Sequence, residues 1–163
     1  DLSTWRAGAA PNVFGPQGGL RISASDLSKI GRLLLGDGEV DGVRLLTPAS
    51  VRAMIGPQWS WKDGNGLTLE EDDPIRTKGG FTCRYGLAVH TLATGLPDCG
   101  DDPFGDGVQR IGHSGNAYGL LAGLWVDRKA GTGVVYFSTG NDKPEAGERS
   151  AFSRVEEQSA AGW

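Results

Sequence analysis

Between Ser23 and Gly36 the apolar positions Leu27, Ile30, Leu33, Leu34 and Leu35 recur three or four apart. That period predicts an α-helix, capped by Ser23 or Ser25 and ended by Gly36-Asp37-Gly38. A turn-rich link, Glu39 to Val43, leads to Leu45-Leu46. Thr47-Pro48 then reads as an N-cap followed by proline in the first helical turn, opening a short helix through Val51 and Met54 to Gly56. Further on, the pattern changes to strands: Arg84 to Leu92 alternates through Tyr85, Leu87 and Val89, Tyr118 to Val126 is mostly apolar, and Thr132 to Ser138 contains Val134-Val135-Tyr136-Phe137. The Asp127-Arg128-Lys129-Ala130-Gly131 turn joins the last two as an antiparallel hairpin. After Pro144, the stretch Glu145 to Ala161 carries Ala151, Phe152 and Val155 and predicts a C-terminal helix lying on the sheet.

One unit covers residues 1–163: an irregular opening segment at 1–22, two short helices at 23–56, a long loop at 57–82, and a sheet with its C-terminal helix at 83–163. The fold class is therefore α+β, with an antiparallel sheet of three or more strands. No internal repeat is present. The loop carries Trp59, Trp61, the acidic run Glu70-Glu71-Asp72-Asp73 and Gly79-Gly80. A loop of that length either borders a site or is a solvated insertion pinned to the body by its tryptophans.

Composition narrows the classes. The 163 residues include 27 glycines and 8 prolines, so turns are frequent, while hydrophobics at 38% supply a packed core and exclude a disordered polyelectrolyte. The net charge of −4, with Lys and Arg scattered, argues against a nucleic-acid partner. No run approaches the roughly 18 apolar residues of a membrane span, and the first residues lack a signal pattern. An export signal is expected to have been removed, and the chain to be periplasmic or secreted. Cys83 and Cys99 form a disulfide in an oxidising compartment or remain two free thiols in a reducing one.

Only two histidines are present. His90 lies on the parity opposite Tyr85, Leu87 and Val89, which gives it a surface or groove position and a structural role. His113 opens His113-Ser114-Gly115-Asn116, just ahead of the apolar strands. On one strand those residues make a docking edge. His113 supplies positive charge or a hydrogen bond, Ser114 donates to a carboxylate or carbonyl, Gly115 removes the Cβ that would block a ligand, and the Asn116 N–H faces a developing oxyanion. Ser114 is not a nucleophile driven by His113, because neighbours on a strand point to opposite faces. The carboxylates Asp98, Asp101, Asp102 and Asp106 lack calcium-loop spacing and read as a solvated turn, and the adjacent Glu156 and Glu157 lie on different azimuths of a helix. No metal or cofactor is expected.

The order of these segments is informative. Gly18-Gly19-Leu20-Arg21-Ile22-Ser23-Ala24-Ser25-Asp26-Leu27, then Leu45-Leu46-Thr47-Pro48, Tyr85-Gly86-Leu87, Gly112-His113-Ser114-Gly115 with Gly119, Val126-Asp127 and Gly133-Val134-Val135 through Asn141 resemble the C-terminal part of serine beta-lactamase-like hydrolases. That group contains class C beta-lactamases, DD-peptidases of the carboxypeptidase type and related esterases. The resemblance implies the C-terminal part of the beta-lactamase/transpeptidase-like fold. It also implies that His-Ser-Gly stands where the family often has Lys-Thr-Gly: His113 and Ser114 polarise and anchor substrate, Gly115 gives clearance, and the Asn116 amide forms half of an oxyanion hole.

The family's nucleophile sits in Ser-x-x-Lys and its second motif is Tyr-x-Asn or Ser-x-Asn. Ser-x-x-Lys and Tyr-x-Asn do not occur in these residues, and the one Ser-x-Asn match, Ser114-Gly115-Asn116, overlaps the His-Ser-Gly string itself. The resemblance therefore implies a fragment or processed subunit, with an N-terminal polypeptide supplying the nucleophile for an acyl-enzyme on an amide, lactam or ester of a small molecule or peptide. The alternative is a non-catalytic binding module of the same fold. An open sheet edge is expected, covered by the N-terminal polypeptide or by a dimer or swapped assembly.

Overall fold

The computed structural model describes residues 20–66, 68 and 79–162. The expected opening segment up to residue 19 and the acidic run of the long loop lie outside the described residues.

Helix α1 (Ala24–Leu35) starts where the Ser23 hydroxyl accepts the Asp26 N–H at 3.0 Å and donates to the Asp26 carboxylate at 2.8 Å. It ends where the Gly36 N–H reaches the Arg32 carbonyl. The link that follows is a small hairpin of β1 (Glu39–Val40) and β2 (Val43–Arg44). Its Asp41-Gly42 turn has φ of 52° and 77°, values that fit the short polar side chain and glycine. Helix α2 (Pro48–Ile55) has Thr47 as N-cap and proline in its first turn.

The main sheet is a six-stranded antiparallel meander, β3 (Trp59–Ser60), β4 (Arg84–Tyr85), β5 (His90–Thr91), β6 (Ile111–Ala117), β7 (Leu120–Asp127) and β8 (Thr132–Ser138), in that spatial order. Helix α3 (Arg154–Ala161) closes the chain. The chain is thus α+β, with an antiparallel sheet and a C-terminal helix. Strand parity builds three layers. Leu124 and Val126 of β7 pack with Leu34 of α1 and Val51 of α2 on one face, whereas Trp125 packs with Leu92, Tyr136 and Phe152 on the face carrying α3. Each such apolar side chain contributes about 2–3 kcal/mol when fully buried.

Several expectations are corrected. The run Arg84 to Leu92 is not one strand but a tight hairpin, because the Gly86 N–H turns back to the Val89 carbonyl and the Leu87 N–H is taken by the Met54 carbonyl at the end of α2. A Cβ at Gly86 would lie 2.1 Å from that Met54 oxygen. Leu87 is consequently exposed and His90, at 5% exposure, is buried rather than at the surface, against the alternation read from the sequence, whereas Val89 is buried as that alternation expects. Tyr118 belongs to the β6–β7 turn, with φ of 54° and Gly119 at 72°, and its ring is fully exposed. The long loop contributes strand β3.

The C-terminal helix is shorter than the periodicity suggested. A capping box between Ser153 and Glu156 starts it at Arg154. The preceding residues instead fold around Glu157, whose carboxylate accepts the Ser150 hydroxyl and the N–H groups of Glu148, Arg149 and Ser150 at 2.7–3.0 Å. Burial alone would raise that carboxyl, but these donors prevail and hold it below its ordinary value. Cys83 and Cys99 are joined in a disulfide. Closing a loop of 16 residues contributes about 3 kcal/mol.

The acidic residues are structural. Asp101 is buried, not solvated, and accepts the Thr94 hydroxyl at 2.6 Å together with the Thr94 N–H. Asp102 accepts two loop N–H groups, and Asp106 pairs with Arg110.

Candidate functional site

The site begins with strand register. Trp59 of β3 stands opposite Tyr85 of β4, Tyr85 opposite His90 of β5, His90 opposite Gly112 of β6, and Gly112 opposite Trp125 of β7. Cross-strand partners share a face, so a row of rings runs across the sheet with a glycine gap at β6. β5 pairs with β6 only at Ile111 and Gly112. From His113 to Ala117, the β5-side edge of β6 has no strand partner among the described residues.

A cleft of about 620 Å³ opens along that edge, lined by Trp59, Gly66, Phe81, Thr82, Tyr85 and His90 on one side and His113, Ser114 and Asn116 on the other. Its aromatic wall is held firmly. The Trp59 ring packs over Gly66 and donates from Nε1 to the Asn65 carbonyl at 3.4 Å. Phe81 lies 5.1 Å from Phe152, ring centre to ring centre. The disulfide at Cys83 ties the segment bearing Phe81 and Thr82 to the 98–100 loop, where the Gly80 carbonyl also accepts the Gly100 N–H.

Two imidazoles and a phenol form the centre of the site. His113 Nε2 and Tyr85 Oη are 2.9 Å apart, and His113 Nδ1 hydrogen-bonds the Ser114 carbonyl. The His90 and His113 ring centres are 4.4 Å apart, and Tyr85 meets both rings edge-on. Burial drives the His90 imidazole down to about 3, and the neighbouring His113 adds a smaller push in the same direction. His90 is therefore neutral across the physiological range.

Comparison with known proteins is sparing. No family model matches the chain, and no solved structure does. It is 52% identical over 44 residues to two Mycobacterium tuberculosis proteins, "Uncharacterized protein MT1414" of strain CDC 1551 / Oshkosh and "Protein Rv1367c" of strain ATCC 25618 / H37Rv. Each match spans 27% of this chain and 11% of the relative.

His113, Ser114 and Asn116 come together at the cleft. Gly115 does not line it. It faces a smaller apolar cavity of about 280 Å³ beneath the strand, bounded by Leu27, Ile30 and Leu34 of α1 and Met54 of α2. A Cβ on Gly115 would meet Ala122 at an ordinary 3.7 Å, so the fold itself does not demand glycine there. Both His113 nitrogens are engaged by groups other than the Ser114 hydroxyl, in keeping with Ser114 not being driven as a nucleophile. The sequence reading allowed His90 a groove position and the loop bearing Trp59 a place at the border of a site, and both line the cleft; it missed Phe81 and Tyr85 as cleft residues. The pairing of Trp59 with Tyr85 is the signal that would have found Tyr85, and it is set by register rather than by any local motif.

Proposed function

We propose that this chain supplies one wall of a serine hydrolase site of the beta-lactamase-like kind, acting on an amide, lactam or ester through an acyl-enzyme. The observation that carries this reading is the β6 edge, His113 to Ala117, without a strand partner among the described residues and running along an open cleft of about 620 Å³. Substrate lies along that edge as an added strand, Ser114 donates to its carbonyl or carboxylate, and the Asn116 N–H faces the oxyanion.

The nucleophile and its base come from a separate N-terminal segment carrying Ser-x-x-Lys, and the seven-residue outer strand β8 offers that segment a sheet edge to pair with. The Cys83–Cys99 bridge supports a periplasmic or secreted location. Among the described residues no helix is long and apolar enough to cross a membrane.

The test is covalent labelling of material purified from its native source with a fluorescent penicillin and a fluorophosphonate, read by mass spectrometry. A label on a serine of a polypeptide joined to or co-purifying with this chain is the expected result. Absence of label from every such species would replace the proposal by a non-catalytic binding module.

A further inference from the structure

We infer that Tyr85 is a positioning residue of the cleft, fixing the tautomer of His113 and presenting to ligand a phenol oxygen whose hydrogen-bonding sense follows the His113 proton. The inference rests on reading the cleft as a substrate site.

The argument is one of donors and acceptors. The Ser114 carbonyl can only accept, so the hydrogen bond at His113 Nδ1 places a proton on that nitrogen. In the neutral ring Nε2 is then the bare nitrogen, and the 2.9 Å contact is a Tyr85 O–H donating to it. Both imidazole nitrogens are thereby occupied within the protein. The polar atom left for a ligand is the Tyr85 oxygen, on a residue that lines the cleft. With its proton committed to Nε2, that oxygen accepts.

Protonation of His113 inverts the pair. Nε2–H becomes the donor, the Tyr85 oxygen receives it, and the Tyr85 O–H is released to donate into the cleft. No bond other than these hydrogen bonds changes, and the proton comes from solvent. The groups that line the cavities at His113 are uncharged among the described residues. β4 brings Tyr85, β5 brings His90, which stays neutral, and α1 and α2 bring Leu27, Ile30, Leu34 and Met54 to the opposite side. No carboxylate or cationic side chain lines either cavity among the described residues.

With only two histidines, the test is direct. Nitrogen-15 spectra of the imidazoles in the 163-residue chain should show neutral His113 as the Nδ1–H tautomer, with Nε2 shifted as a hydrogen-bond acceptor. Tyr85→Phe should remove that acceptor shift while leaving the His90 signals in place. Tyr85→Leu, which carries no hydrogen-bonding group, should behave like Tyr85→Phe. A neutral Nε2–H tautomer in the wild-type chain, or a His113 spectrum unmoved by Tyr85→Phe, overturns the inference. These readouts need no turnover, so they stand apart from the labelling experiment. In the assembled hydrolase Tyr85→Phe should lower kcat/KM by roughly tenfold, the worth of one hydrogen bond, and change the shape of its pH profile. A fall with an unchanged profile would leave Tyr85 as packing only and would contradict the switch.

Discussion

The two faces of the sheet are built on different terms. On the α1 and α2 side, Leu34, Val51, Leu124 and Val126 meet as plain aliphatic groups, and none of the unpartnered buried polar atoms among the described residues belongs to this cluster. On the α3 side the core is aromatic, and it contains or adjoins three buried polar atoms, His90 Nδ1, Trp125 Nε1 and Tyr136 Oη, that have no hydrogen-bond partner among the described residues. Burial pushes the Tyr136 phenol well above its ordinary value, with the nearby Glu156 adding to the effect. Leaving a buried polar atom unpaired costs about 1–3 kcal/mol. The aliphatic face anchors the fold, while the aromatic face carries rings that continue through His90 and Tyr85 into the cleft.

Breaking the aromatic face at its centre should have the largest effect. Trp125 is fully buried between Phe152 and Tyr136, so Trp125→Ala should destabilise the chain by about 3–5 kcal/mol in urea unfolding. A loss under 1 kcal/mol would mean that the aromatic face is not a core.

Acid should separate the faces next. On lowering pH, the unfolded chain protonates His90 near its ordinary 6.5, whereas the folded chain does not until about 3. The unfolded state therefore binds more protons across that window, and stability falls with decreasing pH by up to about 1.4 kcal/mol per unit from this group. His90→Leu should flatten the slope of stability between pH 6 and pH 4 by about that amount. Parallel slopes for the two proteins would show that His90 titrates freely when folded.

The smallest effect should come from removing an unpaired atom. Tyr136→Phe deletes a buried hydroxyl that has no well-formed hydrogen bond and only the Trp125 side chain as a weak donor, so it should change stability by less than about 1 kcal/mol. A clear destabilisation would reveal a hydrogen bond to Tyr136 Oη.

The elements whose signals are local were readable in the sequence. The β7–β8 hairpin follows from an apolar run and a turn rich in Asp, Lys and Gly, and α1 and α2 announce themselves through Ser23 and Thr47 as caps. Elements shaped by distant partners were not. Arg84 to Leu92 breaks because the Met54 carbonyl claims the Leu87 N–H, and the run before Arg154 stays out of the helix because Glu157 gathers its amides. Neither partner is visible from the local period. The site divides in the same way. The edge from His113 to Asn116 was legible as a chemical string, while Trp59 and Tyr85 reach it through pairings between strands far apart in sequence.

The central claim is that the open edge of β6 receives substrate. Backbone amide shifts of the isotopically labelled chain should be followed as benzylpenicillin, an acyl-D-alanyl-D-alanine peptide and an aryl acetate are each added to millimolar concentration. The account predicts that at least one of them moves the amides of residues 113–117 and the ring signals of Tyr85 more than any others. Shifts confined to the far face of the sheet, or none with all three compounds, would contradict it.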